Sequence, residues 1–247
     1  MQKLKPSGIW LTVDAVIFVI DESHTKSRSR QGRKSKGPRR GYFVRDENKL
    51  KVLLIKRRGK PFGNYWSLPG GFIGKNETAH RATERILLQK AGFSDGYLEQ
   101  LFTFDDPNRD PRGRVISVTY FALVPRQFIK PSKKLDRTIG LFPVERLPLL
   151  AFDHKKIVRY AIGRLHAKLK YTNVVYSLLP EYFTLGQLQK TYEIIFGRKL
   201  DKRNFRKKFL LLGLIKPTRK LLTDHHRRPA RLYRFTSRRP TELKKFF

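Results

Sequence analysis

The chain has 247 residues, enough for two modest domains with hydrophobic cores, and a formal net charge of +35 from 55 basic and 20 acidic residues. So much positive charge favours a polyanionic partner, nucleic acid first and an anionic membrane second. No apolar run reaches the about 18 residues that a membrane span needs, and no signal-peptide core is expected at the amino terminus. The absence of cysteine excludes disulfides and cysteine-ligated metals.

The positive charge is concentrated in two parts of the chain. Residues 155–247 hold 25 Lys or Arg against 5 Asp or Glu, and residues 25–40 hold 8 basic residues and no acidic ones. Residues 22–41 have no apolar periodicity and many Ser and Gly, so we interpret them as a flexible basic insertion between two strands. The insertion is either a solvated loop without a role or an additional nonspecific phosphate contact.

Strand patterns dominate the first half of the chain. β-Branched and apolar runs predict strands at residues 12–21, 51–56, 98–104 and 115–124. One helix, which Asn76 can cap and Gly92 can end, separates the second strand from the third. Strands interleaved with a Gly-rich loop and a helix predict an α/β fold, a mixed sheet with helices packed on it as an α/β/α sandwich.

Residues 71–93 have the spacing of a phosphate-chemistry motif. A Gly is followed after five residues by Glu77, after seven more by Arg85, and then by Gly92. With the LPGG run that leads into it, this stretch resembles the box of the Nudix hydrolases over 23 residues. Three defining Glu residues of that box are replaced here, by Ile86, Gln89 and Lys90.

These replacements change the chemistry that we expect of the box. Positions 86, 89 and 90 lie near one another on a helix. Three Glu there hold Mg²⁺ against a diphosphate, whereas this chain offers an apolar group, an amide and a cation. The ammonium of Lys90 repels Mg²⁺ and can attract phosphate instead. Glu77 and Arg85 are interpreted as a structural pair that holds the loop and the helix together.

Several residues of the first half could hold a phosphorylated ligand. Arg57 and Arg58 directly follow a predicted strand and can bind a diphosphate. Trp66 can stack on a base or wall a pocket, with a place in the hydrophobic core as the alternative. Arg112 and Arg114 share one loop with acidic residues. They can reach phosphate or ribose, with a solvated turn as the alternative. The predicted ligand-binding set is Arg57, Arg58, Trp66, Gly70, Gly71, Lys90, Asp105, Arg112 and Arg114.

A helix over residues 154–169 is predicted to connect the two halves. Asp153 can cap it, and its apolar residues recur at helical spacing. We place the domain boundary at its start, so that residues 1–153 form a Nudix-like ligand-binding domain. Residues 154–247 then form the connector helix and a DNA-binding domain.

The end of the chain has the element order of a winged helix-turn-helix. Thr184 and Asp201 can cap two helices, and short strands are predicted at residues 214–215 and 230–235, separated by a basic, turn-rich stretch. The first turns of the second helix are almost entirely basic or polar. Helix, turn, basic helix and hairpin is the order of that DNA-binding motif.

The second helix would enter the major groove with its amino-terminal side chains facing base edges. Because arginine pairs with guanine and asparagine with adenine, we predict base contacts from Arg203, Asn204 and Lys207. Phosphate contacts are predicted for Thr184, Gln187, Lys202, Arg206 and Lys208. Further DNA contacts are predicted on or beside the wing, near a phosphate or the minor groove, from Arg227, Arg228 and Arg231. The alternatives are a small domain with a solvated basic face and an RNA-binding domain, although the paired aromatic motifs of common RNA-binding sheets are absent.

Together the two halves resemble the NrtR family, Nudix-related transcriptional regulators of NAD metabolism. The resemblance is carried by the segments LPGGF and DPRGRVISV, and by residues 183–208 and 228–235. It implies a homodimeric repressor that binds a palindromic operator in double-stranded DNA, in the bacterial cytoplasm. It also implies ADP-ribose or a related nucleotide as the effector, with no required cofactor.

The leading hypothesis is thus a ligand-responsive transcriptional regulator without hydrolase activity. The runner-up is an active Nudix hydrolase with a nucleic-acid-binding tail, in which Glu84 or a more distant residue supplies a missing metal ligand. A third is an RNA-processing or ribosome-associated protein. An effector can release DNA only if it binds the DNA-incompetent state better than the DNA-competent state. The connector helix is the expected transmitter between the two sites. The sequence equally allows an effector that strengthens DNA binding, and a role in sugar rather than NAD metabolism.

Overall fold

The computed structural model describes residues 8–20, 42–43, 48–92, 96–129, 138–224 and 227–243. The predicted insertion at residues 22–41 lies outside these ranges. Within them, no helix is long and apolar enough to cross a membrane.

The first half of the chain forms one mixed β-sheet. Its strands are β1 (Trp10–Ile20), β2 (Tyr42–Phe43), β3 (Leu50–Lys56), β4 (Trp66–Ser67), β5 (Gly70–Phe72), β6 (Tyr97–Phe104), β7 (Val115–Leu123) and β8 (Ile139–Pro143). The order across the sheet is β2-β8-β3-β1-β7-β6, with β4 paired to β3 and β5 to β1. The pairs β1–β7 and β2–β8 are parallel, whereas β1–β3, β3–β8 and β6–β7 are antiparallel. The predicted mixed sheet is confirmed.

Helices cover both faces of this sheet, namely α1 (Ala79–Ala91) and α2 (His154–Lys168). Successive side chains of a strand point to opposite faces. Along β1, Ile17 lies in a cluster with Leu87 of α1, whereas its neighbour Phe18 lies in the cluster that contains Leu165 of α2. β1 is therefore buried on both sides, and the predicted α/β/α sandwich is confirmed.

Helix α1 begins two residues later than the cap at Asn76 predicts. Thr78 is the N-cap, and its Oγ1 accepts a hydrogen bond from the Arg81 N–H at 3.2 Å. Asn76 lies in a turn just before it. Thr78 has the extended backbone, φ −76° and ψ 157°, from which a side chain can cap a helix. Gly92, at φ 66°, ends the helix as predicted.

Helix α2 begins where the sequence predicts, but Asp153 does not cap it with its side chain. The residue has φ −87° and ψ 14°, and its carboxylate accepts both hydrogen bonds of a bidentate pair from Arg109. The buried side of α2, which includes Ile157 and Ala161, packs in the core cluster under the sheet. This helix therefore completes the sandwich as well as leading into the second half, and the boundary at residue 153 stays a prediction.

The second half contains a winged helix-turn-helix. Its elements are α3 (Leu185–Phe196), α4 (Lys202–Leu211), β9 (Ile215–Asp224) and β10 (Arg227–Phe235). A short 3-10 helix at Val174–Leu178 precedes α3, and another, at Arg126–Phe128, lies between β7 and β8 of the first half. Thr184 caps α3 and Asp201 caps α4, as predicted. The two helices meet at Tyr192, whose ring lies 5.6 Å from that of Phe205 and 5.3 Å from that of Phe209.

The wing is longer than the sequence predicts. β9 has ten residues, where only a two-residue strand and a turn-rich stretch are predicted. It pairs with β10 in an antiparallel hairpin that has two register shifts. Leu221 and Leu222 of β9 are 55% and 47% exposed. Residues 216–223 of β9 include no buried residue, so this part of the strand lacks the alternation by which strands are recognised.

Candidate ligand-binding cleft and nucleic-acid interface

A cleft of about 270 Å³ opens where β1, β5, the end of α1, the loop before β7 and the start of α2 meet. Its floor and walls come from segments far apart in the chain. The lining residues are Thr12, Asp14, Arg57, Ser67, Leu68, Gly70, Gly71, Phe72, Lys90, Arg109, Asp110, Arg112, Val115, Phe152 and His154. Of the predicted ligand-binding set, the cleft brings together Arg57, Gly70, Gly71, Lys90 and Arg112.

The two glycines of the LPGG run allow β5 to lie close beside β1. Gly70 pairs with Asp14, and Gly71 with Val13. A Cβ at position 70 would lie 2.1 Å from Asp14 Oδ1, and one at position 71 would lie 3.0 Å from the Ile86 side chain. Only glycine at position 70 leaves the Asp14 carboxylate open to the cleft.

The cleft floor is a buried charge network around Asp14. Asp14 Oδ2 accepts a hydrogen bond from Ser117 Oγ at 2.7 Å, and Arg109 Nη2 lies 3.5 Å away. Arg109 also donates to both oxygens of Asp153, at 3.0 Å and 2.8 Å. Buried charges require such pairing, because an unpaired one costs several kcal/mol of stability, on the order of 3–5. The network fixes the first residues of α2 to β1.

His154, the first residue of α2, lies in the same network. Its Nδ1 accepts the Leu68 N–H at 2.9 Å, so Nε2 carries the proton in the neutral ring. Nε2 lies 3.6 Å from Asp14 Oδ1. Burial lowers the pKa of His154 below its ordinary value, against the opposing effect of Asp14. The neutral ring therefore links the LPGG run, the cleft floor and α2.

Another part of the cleft lining is formed by Arg112 and Asp110. Arg112 Nε donates to Asp110 Oδ1 at 2.9 Å and Nη2 donates to Oδ2 at 2.7 Å. Partial burial would raise the pKa of Asp110, but the hydrogen bonds from Arg112 hold it below its ordinary value. A bidentate pair of this type fixes the orientation of the guanidinium plane.

Phe152 is a cleft residue that sequence reasoning missed. Its backbone has φ 53°, an uncommon conformation for a bulky side chain. The ring lies 4.7 Å from the Arg57 guanidinium carbon and 5.5 Å from that of Arg112. Arg57 Nε also donates to Pro61 O at 3.1 Å. Burial, with Arg112 nearby, lowers the pKa of Arg57. Phe152 thus holds two guanidinium groups at the cleft.

The box positions on α1 do not fit a divalent cation. Ile86 is buried beneath Gly71, Gln89 is exposed, and Lys90 donates from Nζ to Gly70 O. Burial lowers the pKa of Lys90. Among the described residues there is no group of three or more His, Asp or Glu that could hold a metal ion. An apolar group, an amide and an ammonium do not supply the oxygen ligands that Mg²⁺ requires.

Glu77 and Arg85, the retained box residues, form a pair at the surface. Arg85 Nε and Nη2 donate to the two Glu77 oxygens at 2.8 Å and 2.7 Å, and Arg85 Nη2 also donates to Phe72 O at 3.1 Å. The Gly74 N–H donates to Glu77 at 3.0 Å. These contacts tie the loop before α1 to the helix, which agrees with the structural role predicted for the pair.

Four residues of the predicted ligand-binding set lie away from the cleft lining. Trp66 is buried, with its ring 4.6 Å from that of Phe142, because β4 turns it into the hydrophobic core. Arg58 and Asp105 are exposed. Arg114 donates to the Asp105 carbonyl oxygen. Trp66 is therefore a residue of the hydrophobic core and does not line the cleft.

Besides Phe152, the residues that sequence reasoning missed are Asp14, Arg109 and His154. A signal existed for Asp14, because a single carboxylate within the apolar run TVDAVIFVI requires buried partners. No local signal identifies those partners. Arg109 is 95 residues from Asp14 along the chain.

A second candidate site is the outer surface of the winged helix. Phe205 and Phe209 face the core, which leaves the opposite side of α4 in solvent. That side presents three of the predicted DNA-binding residues, Arg203, Asn204 and Lys207, and a fourth, Lys202, is exposed as the first residue of the helix. Asp201 Oδ1 accepts the Asn204 N–H at 2.7 Å and fixes the start of the helix. The predicted base-contacting residues thus share one exposed helical surface.

The other predicted DNA-binding residues differ from one another in exposure and in the contacts that they make. Thr184 and Gln187 form a reciprocal capping box at the start of α3, with hydrogen bonds of 3.1 Å and 2.8 Å. Arg206 and Lys208 are partly buried. Arg231 is exposed on the wing. Arg227 and Arg228 are the first two residues of β10, and the structure describes only their backbone.

Both halves of the chain match known protein families. Residues 36–161 match the NUDIX domain, and residues 175–235 match the NrtR DNA-binding winged helix domain. An ADPR responsive transcriptional repressor NtrR of Acinetobacter baylyi is 37% identical over 197 residues, which is 78% of this chain and 78% of that protein. An ADP-ribose pyrophosphatase of Methanocaldococcus jannaschii is 36% identical over 113 residues, which is 46% of this chain and 66% of that enzyme.

Solved structures have the same arrangement. The structure of Shewanella oneidensis NrtR matches with a TM-score of 0.77 and 30% identity, over 96% of this chain and 100% of that one. The same protein in complex with a 27mer DNA matches with a TM-score of 0.72 and 31% identity, over 92% and 93% of the two chains. The two matching domains and these relatives show that the chain belongs to the NrtR family of Nudix-domain proteins.

Proposed function

We propose that this protein is a transcriptional regulator, a repressor in the simplest case, whose winged helix binds operator DNA and whose cleft binds ADP-ribose or a related nucleotide. The observation that carries the proposal is the coexistence of two separate sites in one chain. One is a cleft lined by charged and aromatic groups. The other is an exposed basic helix. The Acinetobacter repressor and the DNA-bound Shewanella protein supply the precedents.

The exposed side of α4 supports DNA as the partner. Arg203, Asn204 and Lys207 lie in its first two turns, from which a recognition helix contacts base edges. Residues of the capping box and of the wing flank them, where phosphate contacts position the helix. A homodimer would place two such helices about 34 Å apart, one turn of the duplex. A palindromic operator is the matching DNA.

The chemistry of the cleft supports a nucleoside diphosphate sugar as the effector. Arg57, Lys90 and Arg112 offer cations to phosphate. Asp14 and Asp110 offer carboxylate oxygens, which can accept hydrogen bonds from ribose hydroxyls. Phe72, 52% exposed, meets Trp10 edge-on at 6.0 Å and offers an apolar rim. No cofactor is required in this proposal.

We further propose that the protein binds its nucleotide without hydrolysing it. The donor set at positions 86, 89 and 90 supports this, because it does not suit the metal that a Nudix hydrolase places against the diphosphate. The similarity to an ADP-ribose pyrophosphatase makes hydrolysis the alternative to test. Steady release of AMP and ribose phosphate from ADP-ribose with Mg²⁺, followed by liquid chromatography, would overturn this part of the proposal.

Helix α2 is the proposed route between the two sites. Its first residue, His154, belongs to the cleft network. Twelve residues later, the His166 ring contacts α3, with Nε2 2.6 Å from Ile195 O. Four residues after the helix ends, Thr172 forms a bridge with Glu242 beyond the wing. An effector releases DNA only if it binds the DNA-incompetent state better, and a tenfold effect needs about 1.4 kcal/mol of such coupling.

The direct test is a gel-shift titration of DNA from upstream of the protein's own gene. We expect specific binding that resists competition by unrelated duplex and weakens when ADP-ribose is added. Binding of structured RNA in preference to this duplex would contradict the DNA proposal. Unchanged DNA affinity at saturating ADP-ribose would contradict the effector proposal.

A further inference from the structure

Two cations at the cleft are paired differently from the others. Arg109 and Arg112 each form bidentate pairs with a carboxylate. In the described part of the chain, Arg57 and Lys90 donate only to backbone carbonyl groups, those of Pro61 and Gly70. An ammonium has three donors and a guanidinium has five. Both side chains therefore retain donors for which the described residues offer no hydrogen-bond partner.

These two cations also oppose one another. Burial lowers the pKa of each. At Lys90 the charge of Arg57 adds to this effect and Asp14 opposes it; at Arg57 the charge of Arg112 adds to it. Each is thus a partly buried cation with a like charge nearby, an arrangement that destabilises its charged form. A bound anion removes this repulsion and replaces lost hydration, so its binding is favoured more than at an exposed pair of cations.

We propose that Arg57 and Lys90 clamp the diphosphate of the effector directly and take the place of the divalent cation that a Nudix box supplies. The inference rests on the proposed function, since it concerns how that ligand is held. It makes nucleotide binding independent of metal. It also assigns a purpose to the box replacements, because a carboxylate at position 90 would repel the diphosphate that an ammonium attracts.

The geometry favours this role for Lys90. The residue lies in the last turn of α1, and its hydrogen bond to Gly70 O holds Nζ against the LPGG run. Gly70 lacks a side chain where a Cβ would meet Asp14, so the space beside the ammonium stays open. Arg57 lies at the same cleft, with its guanidinium on the Phe152 ring.

Calorimetry in the presence of chelator tests the clamp. The probes are ADP-ribose, inorganic pyrophosphate and adenosine, and the variants are Lys90→Met and Arg57→Met. Lys75→Met is the matched control, because it removes the same charge from an exposed loop position outside the cleft. Each cleft variant should weaken ADP-ribose and pyrophosphate binding by roughly ten- to a hundredfold, the effect of one charge-assisted hydrogen bond, and leave adenosine binding unchanged.

A pH series separates the charge of Lys90 from a merely structural role. Lys90 faces Asp14 from β1, Arg57 after β3 and Arg85 on α1, and its lowered pKa means that the ammonium loses its proton below the ordinary value of 10.5. Affinity for pyrophosphate should therefore fall as the pH rises through that lowered pKa. The fall should be absent from Lys90→Arg, which stays charged, and from Lys90→Met, which has no charge to lose.

The outcomes distinguish this inference from the proposed function. If the wild type binds ADP-ribose and Lys90→Met matches Lys75→Met, or if chelator abolishes binding, the clamp is wrong and the regulator proposal stands. Metal-free binding of pyrophosphate without binding of ADP-ribose supports the clamp and removes the proposed effector. Thermal unfolding of each variant identifies any that loses affinity by failing to fold. Lys90→Arg, if folded, must retain pyrophosphate binding.

Discussion

The cleft between β1 and α2 and the outer side of α4 are both rich in arginine, but their guanidinium groups have opposite surroundings. The Arg109 side chain is 4% exposed and contacts two carboxylates. Arg203 lies in solvent in the first turn of α4. A guanidinium whose partners are protein groups stabilises the fold, whereas an exposed one is available to a ligand. The same residue type therefore supports folding in one region and recognition in the other.

The largest expected effect comes from removing the buried cation. Arg109→Met leaves Asp14 and Asp153 without their shared partner, and breaking a buried ion pair in this way costs about 3–5 kcal/mol of the free energy of unfolding. Urea unfolding followed by tryptophan fluorescence measures the change.

Arg203→Met is the matched control, since it makes the same substitution on α4. It should alter the free energy of unfolding by no more than about 0.5 kcal/mol. Equal midpoints for the two variants would contradict the contrast between the two regions.

The converse experiment concerns DNA. Arg203→Ala and Asn204→Ala should each lose about 1–3 kcal/mol of preference for the operator over unrelated duplex, because direct contacts to base edges carry that preference. Nonspecific affinity and ADP-ribose affinity should stay close to the wild type. Fluorescence anisotropy with both duplexes measures the ratio, and a uniform loss on both would assign these residues to phosphate instead.

Sequence reasoning reached the recognition helix because its signals are local. The caps at Thr184 and Asp201, the apolar spacing of Phe205 and Phe209 and the basic positions between them lie within a short, continuous stretch. Each of these features acts within one or two helical turns, where spacing alone determines which side chains share a face.

The cleft could be predicted only where a motif or a neighbouring strand marked it. Gly71 and Lys90 belong to the box, and Gly70 belongs to the LPGG run before it. Arg57 and Arg112 are predictable without a motif, because each lies beside a strand. Asp14, Arg109 and His154 meet only because β1 is central in the sheet and α2 returns to its end, a consequence of tertiary folding that no local pattern encodes. Trp66 shows the converse. The sequence makes it a plausible ligand contact, but the pairing of β4 with β3 places its ring in the hydrophobic core beside Phe142.

A smaller effect is expected at the contact between α2 and α3. His166→Ala removes the hydrogen bond to Ile195 O and the ring contact with Phe196, at 5.8 Å. Neither site contains this residue, so affinities for DNA alone and for ADP-ribose alone should be retained. The coupling between them should fall by about 0.5–2 kcal/mol.

DNA titrations at zero and saturating ADP-ribose measure that coupling. His80→Ala, at an exposed position of α1 away from the cleft lining, is the control and should keep the wild-type response. If His166→Ala releases DNA as fully as the wild type, α2 does not transmit the signal through α3.

The smallest effect is expected at the surface pair Glu77–Arg85, which belongs to neither site. Hydrogen bonds from Arg85, and from the Gly74 N–H, lower the pKa of Glu77 from 4.5 to about 2. The folded state therefore binds a proton at Glu77 less readily than the unfolded state. Its contribution to stability is present above pH 4.5 and is lost as the pH falls through about 2.

Glu77→Gln should remove this dependence. At neutral pH the variant should be only slightly less stable than the wild type, because exposed ion pairs usually contribute little to the free energy of unfolding. Urea midpoints of both proteins across the acid range give the difference directly. Because other carboxylates titrate in both proteins, only the difference reports on Glu77. Parallel curves below pH 4.5 would mean that the retained box pair does not stabilise the loop before α1.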